Sequence, residues 1–306
     1  MTKKNVMKKD NKKSFVIFLK TYLLIFIKFF QNGYFTFIDI IYLAYLILNL
    51  KNSKEAKNKT ITIVTAADKS HYESVKQLVS SVQKTNKEVV VYFYDLEIDS
   101  EFKIEEIKYK NFVYRKFDFS NYPSFFSKKF FSEYDNSHKL GYYAWKGVVV
   151  NKVANEIDGI LIWCDAGNIF KKKLSLVKKL VNKKKFYSPI SSNRVVDWTY
   201  PTLIKDLNLS DDLLKKRNLW SCFVCFDLTS QLGREMANYW SEWSQKQNLI
   251  APIGSNRFNH RQDQTLITLL YYKLINQKLV PKTYKIFGLR FQQDIEIQPK
   301  NFKNIL

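Results

Sequence analysis

From residue 60 onward the chain alternates short runs rich in β-branched and aromatic residues with longer segments whose apolar positions recur every three or four residues. This alternation constrains the fold more than any other feature. Strands that take turns with helices must line up as a mostly parallel sheet with helices on both faces. Strand-like runs occur at residues 61–65, 88–94, 111–119, 160–164, 186–190 and 219–226. Helical spacing runs through Val75, Leu78, Val79 and Val82, and again over residues 145–156, 174–181, 233–245 and 263–275. The 88–94 run is apolar throughout rather than alternating, the pattern of a strand covered on both faces. One α/β domain over residues 60–306 is the expectation.

The chain before residue 60 follows a different rule. Residues 1–13 carry Lys3, Lys4, Lys8, Lys9, Lys12 and Lys13 against one acid, Asp10, which predicts a solvated, disordered tail. Two apolar stretches follow, 14–30 and 34–50, interrupted by Lys20, Lys28 and Asp39. Each is shorter than the roughly 20 apolar residues of a spanning helix. No small-residue cleavage site follows them, against a cleaved signal peptide. The expectation over 14–50 is hydrophobic helices lying on a membrane surface, with the lysine cluster on anionic headgroups at the cytoplasmic face. A single-pass anchor and a helix pair packed on the downstream domain are the alternatives. Residues 51–59, KNSKEAKNK, read as a polar linker.

A formal charge of +22 admits polyanions, anionic lipid or the steering of small phosphorylated substrates, and part of it fits a coding bias toward lysine and asparagine. The basic residues are spread along the chain or gathered in the tail, with no nucleic-acid motif beside them, so no specific nucleic-acid partner is expected. Cys164, Cys222 and Cys225 cannot build a disulfide framework. The Cys-x-x-Cys of WSCFVCF has no second pair, and reads as buried thiols on a core strand. Neither a G-x-G-x-x-G turn nor a P-loop is present, which removes two common nucleotide-binding arrangements of such a sheet.

Ligands of open parallel sheets bind in the crevice beyond the carboxyl ends of the strands, so the residues after each strand are the candidates. After the first run come Thr65, Ala66, Ala67 and Asp68, then Tyr72: small residues that let a ligand reach the backbone, and a carboxylate that accepts from a base or caps the next helix. In IDGILIWCDAGNIF, residues 157–170, an apolar strand delivers Asp165 to the sheet edge, and Ala166 and Gly167 keep the approach open. A carboxylate there can hold a divalent cation, Mn²⁺ or Mg²⁺, that neutralises a diphosphate; the plain alternative is a turn cap. Asn259 to Gln264, NHRQDQ, puts His260, Arg261 and Asp263 at a helix N-terminus, which suits anionic groups; Asp263 as a cap is the plain alternative. Lys146, after Tyr142, Tyr143, Ala144 and Trp145, suits a phosphate, although an aromatic cluster is also ordinary core.

Taken in order, IVTAADKSHYESVKQLVSSV (63–82), VYFYDLEI (91–98), YYAWKGVVVNKV (142–153), LIWCDAGNIF (161–170) and APIGSNRFNHRQDQTLITLL (251–270) resemble GT-A nucleotide-diphospho-sugar transferases. The resemblance is greatest to a family that pairs a Tyr-x-Trp-Lys helix with a Trp-x-Asp-Ala-Gly strand end, and more distant to family 8 glycosyltransferases. It implies a GT-A sheet that moves a sugar from a nucleotide-sugar donor to a glycan, glycolipid or protein acceptor. It further implies that Thr65, Ala66, Asp68 and Tyr72 line the nucleotide pocket, with Lys146 near the diphosphate. Asp165 stands at the metal-binding Asp-x-Asp position, and His260, Arg261 and Asp263 face the donor sugar or acceptor; Asp165 and Asp263 are the catalytic candidates. The chain departs from the pattern at Gly167, where the second Asp belongs, and lacks a late histidine after His260. Those departures motivate a second expectation, a non-catalytic carbohydrate- or membrane-binding protein on a degenerate GT-A fold.

Overall fold

The computed structural model describes residues 37–52, 59–97, 102, 107–133, 137–280 and 285–296. It divides into two compact units, residues 1–52 and 53–306. In the first unit, helix α1 (Phe37–Asn52) is described. Ile41, Tyr45 and Leu48, four and three residues apart and so on one helical face, are exposed. No helix among the described residues is long and apolar enough to cross a membrane. The basic tail, the 14–30 stretch and most of the 51–59 linker lie outside the described residues, so of the expected hydrophobic helices only this last one is described.

The second unit runs β1 (Ile61–Ala67), α2 (Tyr72–Thr85), β2 (Val90–Asp95) and β3 (Phe112–Lys116). A hairpin of β4 (Lys129–Ser132) and β5 (Ser137–Leu140) leads to α3 (Trp145–Ala154), β6 (Ile160–Cys164) and β7 (Ile169–Phe170). Then come α4 (Ser175–Lys184), β8 (Phe186–Tyr187), β9 (Ile190–Arg194), β10 (Arg217–Leu219) and β11 (Phe223–Asp227). Helices α5 (Gln231–Ser244) and α6 (Gln262–Leu274) and the short β12 (Leu289–Arg290) complete it.

Six strands form the central sheet in the order β3-β2-β1-β6-β11-β8. The β1–β2, β2–β3 and β1–β6 pairs are parallel, whereas β11 runs antiparallel to both β6 and β8. The sheet is therefore mostly parallel, with one opposed strand. The chain builds outward from β1 to β3, then crosses back to place β6 on the other flank of β1. That reversal opens a crevice between the carboxyl ends of β1 and β6.

The sequence accounts for the central elements directly. β1 and β6 are buried almost end to end, which their β-branched and aromatic residues favour. Val75, Leu78, Val79 and Val82 put one face of α2 into the core, each contributing roughly 1.5–3 kcal/mol. Helix α3 is buried on nearly all sides, including Val148, Val149 and Val150. Such a helix is apolar all round because it is covered all round. It packs against α5, where a Cβ on Gly147 would lie 2.6 Å from the Trp240 carbonyl oxygen.

Two expected strands are each divided in the structure. The 186–190 run breaks into β8 and β9, because Pro189 has no N–H for a ladder and its carbonyl instead accepts from Trp220 N at 2.8 Å. The 219–226 run breaks at residues 220–222, which leave the sheet between β10 and β11. Beyond β12, residues 291–296 form a strap between α2 and the turn after β6. Gln293 N donates to Gly167 O at 2.6 Å, Gln77 Nε2 donates to Gln293 O at 2.8 Å, and Ile295 N donates to Ser74 Oγ at 3.0 Å.

Candidate active site

The crevice between β1 and β6 holds a cavity of about 220 Å³. Ala66, Ala67 and Asp68 form its wall at the end of β1; Asp165, Ala166 and Gly167 form the wall at the end of β6. Small residues at both ends keep it open. Asp68 caps the short turn before α2 by accepting from Ser70 N at 3.0 Å. Burial works against its charge, but hydrogen bonding with His71 and Ser70 wins and holds its pKa at about 2.

A second cavity, of about 310 Å³, adjoins the first and shares Tyr143, Lys146, Asp165 and Gln292 with it. At this junction the Lys146 ammonium sits 3.0 Å from Asp165 Oδ1 and 2.9 Å from Asp263 Oδ2. The lysine and Asp263 side chains are each 6% exposed, Asp165 37%. Burial by itself would depress the lysine pKa, yet the two carboxylates override it and raise the pKa above its ordinary value. One cation thus ties the end of β6 to the start of α6, with a formal charge of −1 for the group.

Each member is held by local structure. Asp165 Oδ1 also accepts from Trp163 Nε1 at 2.8 Å, and Asp165 N donates to Cys222 O at 2.9 Å. Asn168 Nδ2 donates to the same carbonyl at 2.7 Å, locking the turn after β6 onto the approach to β11. Lys146 lies in the first turn of α3, three residues after the run Gly141, Tyr142 and Tyr143, all with positive φ. A side chain at 141 would run into the Phe126 carbonyl, so glycine is required there. Left-handed tyrosines are costly, and such strain concentrates at functional sites; Tyr143 lines both cavities and lies under Lys146, ring centroid 5.1 Å from Nζ. At the start of α6 the cap position is Arg261, with no side-chain cap, so Asp263 is a partner of Lys146 rather than the cap of its own helix.

The structure gathers some expected site residues and separates others. Ala66, Asp68, Lys146, Asp165 and Gly167 line the first cavity; Lys146, Asp165, Arg261 and Asp263 line the second. Thr65, Tyr72 and His260 are in neither lining. Thr65 is buried within β1. Tyr72 donates to Asp95 Oδ1 at 2.7 Å and packs edge-on against Phe93 and Phe102. His260 is fully buried, its Nε2 3.1 Å from Ile250 O; burial holds its pKa down at about 4. All three cysteines are buried without a disulfide, and burial pushes their thiols up.

Several lining residues carry no sequence signal of their own. Trp198, Trp220 and Arg257 join the second cavity, and Asp294 the first. Asp294 arrives on the strap, and its carboxylate fills the space a side chain at 167 would enter. Burial raises its pKa, with Asp165 among the nearby negative charges. This bears on the divalent cation implied by the resemblance. Lys146 and Trp163 both contact Asp165 on Oδ1, and Asp294 supplies a carboxylate beside Gly167. Among the described residues no three His, Cys, Asp or Glu side chains gather as a metal cage. The donor set at the end of β6 is thus two carboxylates, the hard oxygen chemistry that Mg²⁺ or Mn²⁺ takes together with water and phosphate oxygen.

Comparison with solved structures finds glycosyltransferases. The WbbM bifunctional glycosyltransferase is 12% identical with a TM-score of 0.45, over 72% of this chain and 39% of that one. The glycosyltransferase GlyE of Streptococcus pneumoniae TIGR4 is 8% identical with a TM-score of 0.42, over 71% and 44%. The galactosyltransferase LgtC, in complex with donor and acceptor sugar analogs, is 14% identical with a TM-score of 0.41, over 68% and 70%. The chain thus spans about two fifths of the length of the first two. A family model described as a protein of unknown function, DUF1647, matches residues 33–149, from before α1 into α3. No curated protein matches the sequence.

Proposed function

We propose that residues 60–306 form a glycosyltransferase that takes a nucleotide-sugar in the first cavity and an acceptor hydroxyl in the second. The observation that carries this reading is the Asp165–Lys146–Asp263 group, which stands where the two cavities meet. A sugar bridging the cavities would have its anomeric carbon beside that group. Asp68 and the alanines of β1 would face the nucleoside. Lys146 would orient and charge-balance the diphosphate, and Asp263, through Lys146, would fix the ammonium's position.

A divalent cation would be held by Asp165 and Asp294, and when bound would add to Lys139 and Lys146 in offsetting diphosphate charge beside Asp68, Asp165 and Asp294. In the transfer, the acceptor oxygen bonds to the anomeric carbon as the bond from that carbon to the diphosphate oxygen breaks. The electron pair leaves with the diphosphate, and the hydroxyl proton is released to solvent. Stabilising charge on the departing phosphate is the main catalytic effect. The exposed Ile41, Tyr45 and Leu48 face of α1 supports a membrane-surface location for the chain.

Calorimetry with UDP-, GDP- and dTDP-sugars, with and without Mn²⁺, tests the proposal directly. One donor class is expected to bind, with Asp165→Asn weakening it about tenfold or more. The absence of binding and turnover with every donor, in both metal conditions, would defeat the assignment in favour of a non-catalytic carbohydrate- or membrane-binding protein.

A further inference from the structure

The second cavity has a character of its own. Among the described residues, the acids in its lining are Asp165 and Asp263, which share Lys146. Arg257 and Arg261 supply two further positive charges. The Arg261 guanidinium lies 4.5 Å from the centroid of the Trp198 ring, and that of Arg257 lies 5.3 Å from Tyr143. Arg257 also donates to the Tyr143 hydroxyl at 2.5 Å. Stacking on a ring fixes the plane of a guanidinium fork, the geometry that reads phosphate or carboxylate with paired hydrogen bonds. Trp198 and Trp220, both half-buried, add flat apolar faces for a sugar ring.

The loops that bring these groups in are also unusually apolar at their surface. Residues 195–200 carry Trp198, residues 251–261 carry both arginines, and Arg261 N donates to Trp198 O at 3.3 Å to join them. On the same two loops Ile253 is 96% exposed, Phe258 59% and Val196 44%. Three large apolar side chains thus stand open to solvent on the loops that carry the cationic groups of the cavity.

Building on the transferase reading, we infer that the acceptor is an anionic glycolipid. Its phosphate or carboxylate is read by Arg257 and Arg261, its sugar lies against Trp198 and Trp220, and Val196, Ile253 and Phe258 meet the lipid surface. The chain's +22 charge complements an anionic membrane bearing such an acceptor.

The test uses the full chain and three probes by calorimetry: decyl glucosyl phosphate, decyl glucoside and glucose 1-phosphate. The charged decyl ester is expected to bind about tenfold tighter than either of the others. Arg257→Gln should abolish its advantage over decyl glucoside. Ile253→Ser with Phe258→Ser should abolish its advantage over glucose 1-phosphate. Equal binding of charged and neutral decyl probes overturns the anionic acceptor; equal binding of glucose 1-phosphate and its decyl ester overturns the lipid. Arg261→Lys, which keeps the charge but not the fork, is a second probe of the clamp and should give an intermediate loss; wild-type affinity for the charged ester in that variant also counts against it. Nucleotide binding, measured on the same samples, reports on the other cavity, so failure of the transferase reading is seen separately from failure of this one.

Discussion

Replacing Lys146 with Met keeps the length and apolar stem of the side chain and removes its charge. In the native protein the ammonium is 2.9 Å from Asp263, and both side chains are 6% exposed. Removing one partner of so dry a pair leaves a buried charge without compensation, which costs about 3–5 kcal/mol. The Asp165 side is wetter, at 37% exposure, so Asp165→Asn should cost only about 1 kcal/mol through its lost pairing. If Asp263 is the source of the Lys146→Met penalty, adding Asp263→Asn should return about 2 kcal/mol of it. Urea unfolding followed by far-UV circular dichroism, on the two single variants and the double, measures all of this. Strict additivity of the two substitutions would refute the ion-pair account.

Three further outcomes follow from the same structure. Gly147→Ala gains about 1 kcal/mol of helix propensity, but the new Cβ meets the Trp240 carbonyl at 2.6 Å; backbone cannot swing aside, so the melting temperature should fall. Gly167→Ala collides instead with the end of the Asp294 side chain, so its loss of thermal stability should be largely relieved in an Asp294→Ala background. His260, with its pKa held at about 4 by burial, is native as the neutral ring, and protonation favours the unfolded chain as pH falls from about 6.5 to about 4. That descent should cost about 3 kcal/mol, read as a shift in urea midpoint, and His260→Gln should flatten that part of the profile.

The parts of the fold legible in the sequence were those with dense local patterning. β1, α2, β2, α3, β6, α5 and α6 all lie on the runs that periodicity marks, because burying one face or both faces of an element imposes its spacing on the residues. The reading was weaker where short-range pattern and tertiary fate part. WSCFVCF looks like one buried strand, yet residues 220–222 leave the sheet to line a cavity and only residues 223–227 pair with β6. His260 and Arg261 are neighbours in one polar motif, but one ring is buried against Ile250 O while the other side chain lines the second cavity.

Asp165, Lys146 and Asp263 could be picked out by residue type and by their places at element ends, but the sequence held no information that one ammonium would join them. Asp294 stood in a stretch without period, and nothing local tied it to Gly167. Hydrophobic spacing acts over a few residues, so the chain specifies locally its alternating elements, and through them a mostly parallel sheet with a crevice at its carboxyl edge. Which side chains share that crevice is settled by packing in three dimensions. Proximity between the turn after β6, the start of α6 and the strap after β12 is produced by packing segments distant in the chain, and distance along a chain carries no local signature of contact.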